Sequence, residues 1–113
     1  MSHNILVADD DNLTRTILSS FLSKTDYHFD LAVDGKDALQ KIIESNNTAE
    51  QFDLLITDIE MPHMNGLELM GELNRLDLSL PVMAITAVTN DKNIIVELLR
   101  KGCSDYIPKP VKK

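Results

Sequence analysis

Three carboxylates, a hydroxyl and an amine stand where apolar runs of this chain end. Asp9 and Asp10 follow Ile5-Leu6-Val7-Ala8, Asp58 follows Leu54-Leu55-Ile56-Thr57, Thr86 follows Val82-Met83-Ala84-Ile85, and Lys109 comes just after Tyr106-Ile107. Apolar runs of four or five residues bounded by polar turns read as strands of a buried parallel sheet. Ligands of such sheets gather outside the carboxyl ends of the strands, so these groups are expected to share one crevice. Carboxylates crowded together repel one another unless a cation sits among them. The set reads as a site for a hard metal ion, which prefers oxygen ligands, and for a phosphoryl group.

The elements that must position these groups alternate strictly. Asn4–Ala8 reads as a strand, and Leu13–Lys24 as a helix with Ile17, Leu18, Phe21 and Leu22 on its core stripe. Phe29–Ala32 is a short strand. A helix from Asp34 to about Ser45 follows, capped by Asp34, with Ala38, Leu39, Ile42 and Ile43 on its apolar face. After a polar connection, Phe52–Thr57 is the third strand. The loop Asp58–Asn65 carries two turn formers, Pro62 and Asn65-Gly66. Gly66–Leu76 presents Leu69, Met70 and Leu73 on one helical face. Pro81–Thr86 is a fourth strand, Asp91–Lys101 a fourth helix stopped by Gly102, and Ser104–Pro108 a fifth strand. This order predicts a single α/β domain, a five-stranded, doubly wound parallel sheet with right-handed crossovers.

Bulk properties narrow the function classes. At 113 residues, 43% hydrophobic and 26% charged, the chain has ordinary globular composition and can bury one core. A net charge of −7 argues against this domain binding nucleic acid or an anionic membrane surface by itself. No run approaches the roughly 20 apolar residues of a membrane span, and no secretory signal is visible. Cys103 is the lone cysteine, which excludes an internal disulfide and fits a reducing, cytoplasmic setting. His3, His28 and His63 lack metal-ligand spacing and read as surface or loop residues.

Taken in order, these segments resemble the CheY-like receiver domain of bacterial two-component response regulators. Ile5-Leu6-Val7-Ala8-Asp9-Asp10-Asp11 is similar to that family's first strand and acidic pair. Asp58-Ile59-Glu60-Met61-Pro62-His63-Met64-Asn65-Gly66 is similar to its phosphoacceptor segment, Ile85-Thr86-Ala87 to its switch hydroxyl segment, and Asp105-Tyr106-Ile107-Pro108-Lys109-Pro110 to its switch aromatic and Lys-Pro pair. The resemblance covers Asn4 to Pro110 and implies a flavodoxin-like strand order, 2-1-3-4-5.

The resemblance also implies roles. Asp58 accepts a phosphoryl group from a histidine kinase or histidine phosphotransfer protein. Mg²⁺ is held by Asp10, Asp58 and the backbone carbonyl of Glu60, with Asp9 acting through a water. Lys109 pairs first with Asp58 and then with phosphoryl oxygens, Thr86 donates its hydroxyl to one of them, and Tyr106 moves inward on switching. The fourth helix and fifth strand then change shape to control an output domain or protein, and Ile94, Ile95 and Val96 give that helix apolar circumference for a partner. Glu60 and Thr89 flank the path of an attacking water and tune the lifetime of the phosphorylated state.

Other readings compete with these. Asp11 reads as a helix cap without a metal role. A Mg²⁺-dependent phosphohydrolase with an aspartyl nucleophile is the rival from the enzyme class, but it needs a second acid where Glu60 stands and a cap over its substrate. A phosphorylation-independent interaction module is the third reading. Finally, no helix follows the fifth strand before Lys113, so the domain reads as shortened there, or its open face as covered by another molecule. Ile5, Val7 and Ile107 are then expected to be exposed, and self-association to follow.

Overall fold

Each short apolar run forms a strand because its neighbours on both sides bury it. The computed structural model describes residues 3–78, 80–87, 96, 100 and 105–109, with the backbone alone for 86, 87 and 105–109. The elements run β1 (Asn4–Ala8), α1 (Asn12–Leu22), β2 (His28–Ala32), α2 (Gly35–Ser45), β3 (Leu54–Asp58), α3 (Gly66–Arg75), β4 (Val82–Ala87) and β5 (Asp105–Lys109). All pair in parallel in one sheet of order β2-β1-β3-β4-β5, as expected.

Side chains alternate across the sheet with the period of two that a strand imposes. Leu6, Ala8 and Leu55 face α2 and α3, where they pack with Ala38, Ile42, Leu69, Met70 and Leu73. Ile5, Val7, Ile56 and Ile85 face the other way and pack with Leu18 of α1. Ile5 and Val7 are therefore buried, contrary to the expectation that they would be exposed: β1 lies between β2 and β3, and α1 lies against that face. Exposed apolar area falls instead on α1 itself, at Leu13 (65% exposed) and at Phe21, which was expected in the core stripe. Ile43 likewise turns outward from α2, because Ala38 and Ile42 already fill the space above the sheet.

Helix ends follow their local chemistry. Asp11 caps α1, accepting from Leu13 N–H, and Asp34 caps α2, accepting from Asp37 N–H. At α3, Asn65 and Glu68 form a reciprocal capping box. Arg75 in its last turn pairs with Glu72, whose carboxyl is held below its ordinary range by that hydrogen bond. Boundaries shift slightly: β3 starts at Leu54, with Phe52 packed beside the core, and β5 extends through Lys109. Of the expected fourth helix, Val96 and Arg100 are described and helical; Ile94, Ile95, Thr89, Gly102 and Cys103 lie outside the described residues. Among the described residues, no helix is long and apolar enough to cross a membrane.

Candidate functional site

The strand order reverses between β1 and β3, which are neighbours although β2 and α2 intervene in sequence. Helices leave such a pair toward opposite faces of the sheet, opening a crevice beyond the strand ends. β1 delivers Asp9 and Asp10 to that crevice, and β3 delivers Asp58.

The turn after β1 is held by charged side chains. Asp9 is fully buried, and its Oδ1 accepts from Asp11 N–H at 2.8 Å. Its backbone N–H continues the sheet to Ala32 O, 3.1 Å away. Arg15 reaches back from α1, and its Nη1 donates to the carbonyl oxygen of Asp9 at 2.6 Å. Asp11 is fully engaged in the cap, since Thr14 Oγ1 donates to its Oδ2 at 2.8 Å. Asp10 is left pointing to solvent at the mouth of the crevice.

The segment after β3 is held by backbone. Asp58 is buried, and Ile59 N–H extends the ladder to Ile85 O at 3.1 Å. Glu60 N–H lies 3.4 Å from Asp58 Oδ1, with the Glu60 side chain exposed. Gly66 N–H donates to Ile59 O at 2.8 Å, and a Cβ on Gly66 would lie 2.3 Å from the carbonyl oxygen of Asp58. Further out, Gly35 N–H donates to Met64 O at 3.0 Å, and a Cβ there would lie 2.2 Å from the same oxygen. At the loop's tip, Met64 N–H bonds Pro62 O at 2.7 Å across His63, whose φ is 67°. That is a γ-turn of the rarer, strained hand.

These two turns bring carboxylate oxygens of Asp9, Asp10 and Asp58 all within 4.8 Å of one another. Two unit charges at that distance repel by roughly 3 kcal/mol at an effective dielectric near 20. Two of the three are buried, which screens them less from each other. A hard divalent cation with one or two direct carboxylates and retained waters fits this donor set. Asp11 caps α1, as expected, and Glu60 meets Asp58 through its backbone N–H while its side chain is exposed.

Of the remaining expected residues, the structure fixes backbone position. Ile85 pairs with Asp58, so Thr86 stands one step beyond Asp58 on the adjacent strand. Lys109 pairs with Ala87, and Tyr106 with Ala84, one strand further. The side chains of Thr86, Tyr106, Ile107 and Lys109, and all of Pro110, lie outside the described residues. Two participants were missed in the sequence. Arg15 carries a signal in its spacing, four residues after the cap Asp11, which places it over the turn. Gly35 carries a weaker one: a glycine directly after a helix cap marks close approach of another backbone.

Comparisons with known proteins agree with this fold. Residues 5–113 match the family profile described as the response regulator receiver domain. The transcriptional regulatory protein ZraR of Klebsiella oxytoca is 38% identical over 96% of this chain and 23% of its own length. The two-component response regulator ARR10 of Arabidopsis thaliana is 34% identical over 96% of this chain and 19% of its own. The chain thus spans about a quarter or less of the length of these relatives. Among solved structures, the CheX-CheY-BeF3-Mg complex of Borrelia burgdorferi superposes with a TM-score of 0.86 at 26% identity, covering 97% of this chain and 80% of that one.

Proposed function

This chain belongs to the response regulator receiver domain family, and on that premise we propose that Asp58 is its phosphoacceptor. The family is one of signalling domains rather than turnover enzymes. Its members take phosphoryl groups from histidine kinases and act on output domains. The observation that carries the proposal is the meeting of three carboxylates from two strands within 4.8 Å, with Asp58 buried among them.

In the proposed step, a carboxylate oxygen of Asp58 attacks the phosphorus of a phosphohistidine on a kinase or phosphotransfer protein. The new O–P bond forms as the N–P bond breaks, and the departing electron pair returns to the imidazole nitrogen. Mg²⁺, when bound, supplies positive charge against the oxygens of the transferring group. Asp10 and Asp58 would hold it directly, together with the backbone carbonyl of Glu60, and Asp9 would act through a water. Arg15 and Gly66 would keep the two carboxylate-bearing turns in place during the transfer.

Lys109 would pair with Asp58 before transfer and with phosphoryl oxygens after it, and Thr86 would donate its hydroxyl to one of them. The acyl phosphate carries about −1.5 to −2 charge, as other phosphorylated side chains do, in place of the carboxylate's −1. Drawing in Thr86 and Tyr106 then shifts the population between two arrangements of the fourth-helix and β5 surface, where an output domain or protein would read the state. A cytoplasmic location is part of the reading and rests on the sequence having a single cysteine, Cys103.

The test is incubation with a labelled acyl phosphate and Mg²⁺. About one hydroxylamine-sensitive label per chain is expected in the wild type and none in Asp58→Asn. Equal labelling of that variant would overturn the assignment. Sustained release of inorganic phosphate from excess donor would favour the phosphohydrolase reading instead.

A further inference from the structure

The sheet has an edge at β2. Which backbone groups face outward there follows from the ladder. His28 N–H donates to His3 O, and Ala32 O accepts from Asp9 N–H. Even-numbered residues of β2 therefore bond inward to β1. Phe29, Leu31 and, just past the strand, Val33 turn their N–H and C=O groups away from the sheet.

That outward row is met by charges. Asp30 Oδ1 accepts from Leu31 N–H at 2.8 Å, and Asp37 Oδ2 accepts from Val33 N–H at 3.1 Å. Lys41 reaches round from α2, half-buried, and its Nζ donates to Leu31 O at 2.5 Å. The same ammonium lies 3.6 Å from Asp30 Oδ1 and 3.9 Å from Asp37 Oδ2. One lysine thus holds the central acceptor of the edge and ties together the two carboxylates that cover its donors. Its stem and charge belong to no part of the crevice at the carboxyl ends of the strands.

We propose that the outer edge of β2 is a strand-pairing surface for a second copy of this chain, kept closed by Lys41. A two-fold meeting is necessarily antiparallel and self-complementary. Centred on Leu31, it sets Leu31 against its counterpart and Phe29 against the second copy's Val33. Every outward N–H of the row then finds a C=O, and each apolar β-former finds an apolar partner. Val33 has half its surface exposed, and its N–H must leave Asp37 before it can pair. An extended peptide of another protein can use the same main-chain bonds but does not carry this side-chain match.

Lys41 closes the surface in two ways. An incoming strand must displace the ammonium from Leu31 O, and it must bring its own carbonyls up to Asp30 and Asp37, acceptors against acceptors. Charged side chains at sheet edges block pairing for this reason. Neutralising the lysine removes the central bond and frees both carboxylates to swing into solvent.

The test is sedimentation velocity over a concentration series. The proteins are the wild type, Lys41→Met, Lys41→Gln, Lys41→Arg and the double variant Lys41→Met with Val33→Lys. Methionine keeps the packed stem and drops the charge and donor. Wild type and Lys41→Arg are expected to stay monomeric. Both neutral variants should self-associate about tenfold more tightly or better, the equivalent of one or two net hydrogen bonds, and Val33→Lys should restore the monomer. Labelling of Asp58, run in parallel, should be unchanged and reports that each variant is folded. If both folded neutral variants remain monomeric over the same range, Lys41 is not a guard. A dimer that Val33→Lys leaves intact overturns the surface, and pairing with an alternating Lys–Val hexapeptide in place of self-association overturns the second copy as its occupant.

Discussion

The turn after β1 and the loop after β3 do the same job by opposite means. In the first, side chains hold the backbone: Asp9 accepts from Asp11 N–H, Arg15 donates to Asp9 O, and Asp11 with Thr14 fixes the helix that follows. In the second, the lack of side chains lets backbones touch: Gly66 lies against Asp58 and Gly35 against Met64. The first arrangement depends on charge and hydrogen-bond geometry. The second tolerates almost no added volume and is indifferent to charge. Two carboxylate-bearing segments that meet at one point therefore fail differently.

Adding one methyl group to the second segment should do the most damage. Gly66→Ala puts a Cβ against the carbonyl of Asp58, where neither backbone can yield cheaply. We expect a loss of about 3 kcal/mol in urea unfolding, with labelling of Asp58 abolished or nearly so. Gly35→Ala strikes the same loop farther from the acceptor. It should cost about 2 kcal/mol and slow labelling about tenfold by displacing the loop that carries Glu60. A Gly66→Ala protein that unfolds and labels like the wild type would remove the contrast altogether.

The corresponding insult to the first segment is loss of a donor. Arg15→Ala leaves Asp9 O without its 2.6 Å partner and should cost about 1.5 kcal/mol. Mg²⁺ affinity by calorimetric titration should fall, because the Asp9-Asp10 turn is freed. Arg15→Lys, with charge but no fork, should recover only part of the loss. If Arg15→Ala lowers stability while Mg²⁺ affinity stays at the wild-type value, Arg15 serves the helix and not the site.

The smallest effect has the opposite sign. His63 occupies a left-handed backbone conformation at the tip of the second loop, which costs a residue with a Cβ about 1 kcal/mol. His63→Gly should stabilise by roughly 0.5 kcal/mol once the added freedom of the unfolded chain is subtracted. Destabilisation by that change would mean that the imidazole makes contacts worth more than the strain.

Much of this was written in local sequence. The apolar runs at 5–8, 54–57 and 82–85 and the alternation with helices dictate a parallel sheet, and Asp11, Asp34 and Asn65 announce three helix starts in the residues themselves. The three carboxylates were legible because each ends a strand. What escaped was set by contacts across the fold. Ile43 and Phe21 fit their helical stripes by spacing, yet the sheet had no more area to offer them. Ile5 and Val7 were expected at an open face, but the packing of α1 over β1 is a matter of crossover direction that no window of sequence contains. Gly35 touches Met64 across 29 positions of chain, and only the assembled fold shows why a methyl group is excluded there.

The pairing of β1 directly with β3 has a thermodynamic consequence. The chain must close past β2 and α2 before Asp58 becomes a neighbour of Asp9 and Asp10, so in the unfolded ensemble the three carboxylates hold no common ion. Any cation that binds the assembled trio binds the native state alone, and it raises the free energy of unfolding by RT ln(1 + [L]/Kd). Free Mg²⁺ at about a hundred times its dissociation constant would add about 2.7 kcal/mol. A melting temperature that climbs with added Mg²⁺ would therefore report binding at the trio, with the repulsion among its carboxylates relieved by the ion.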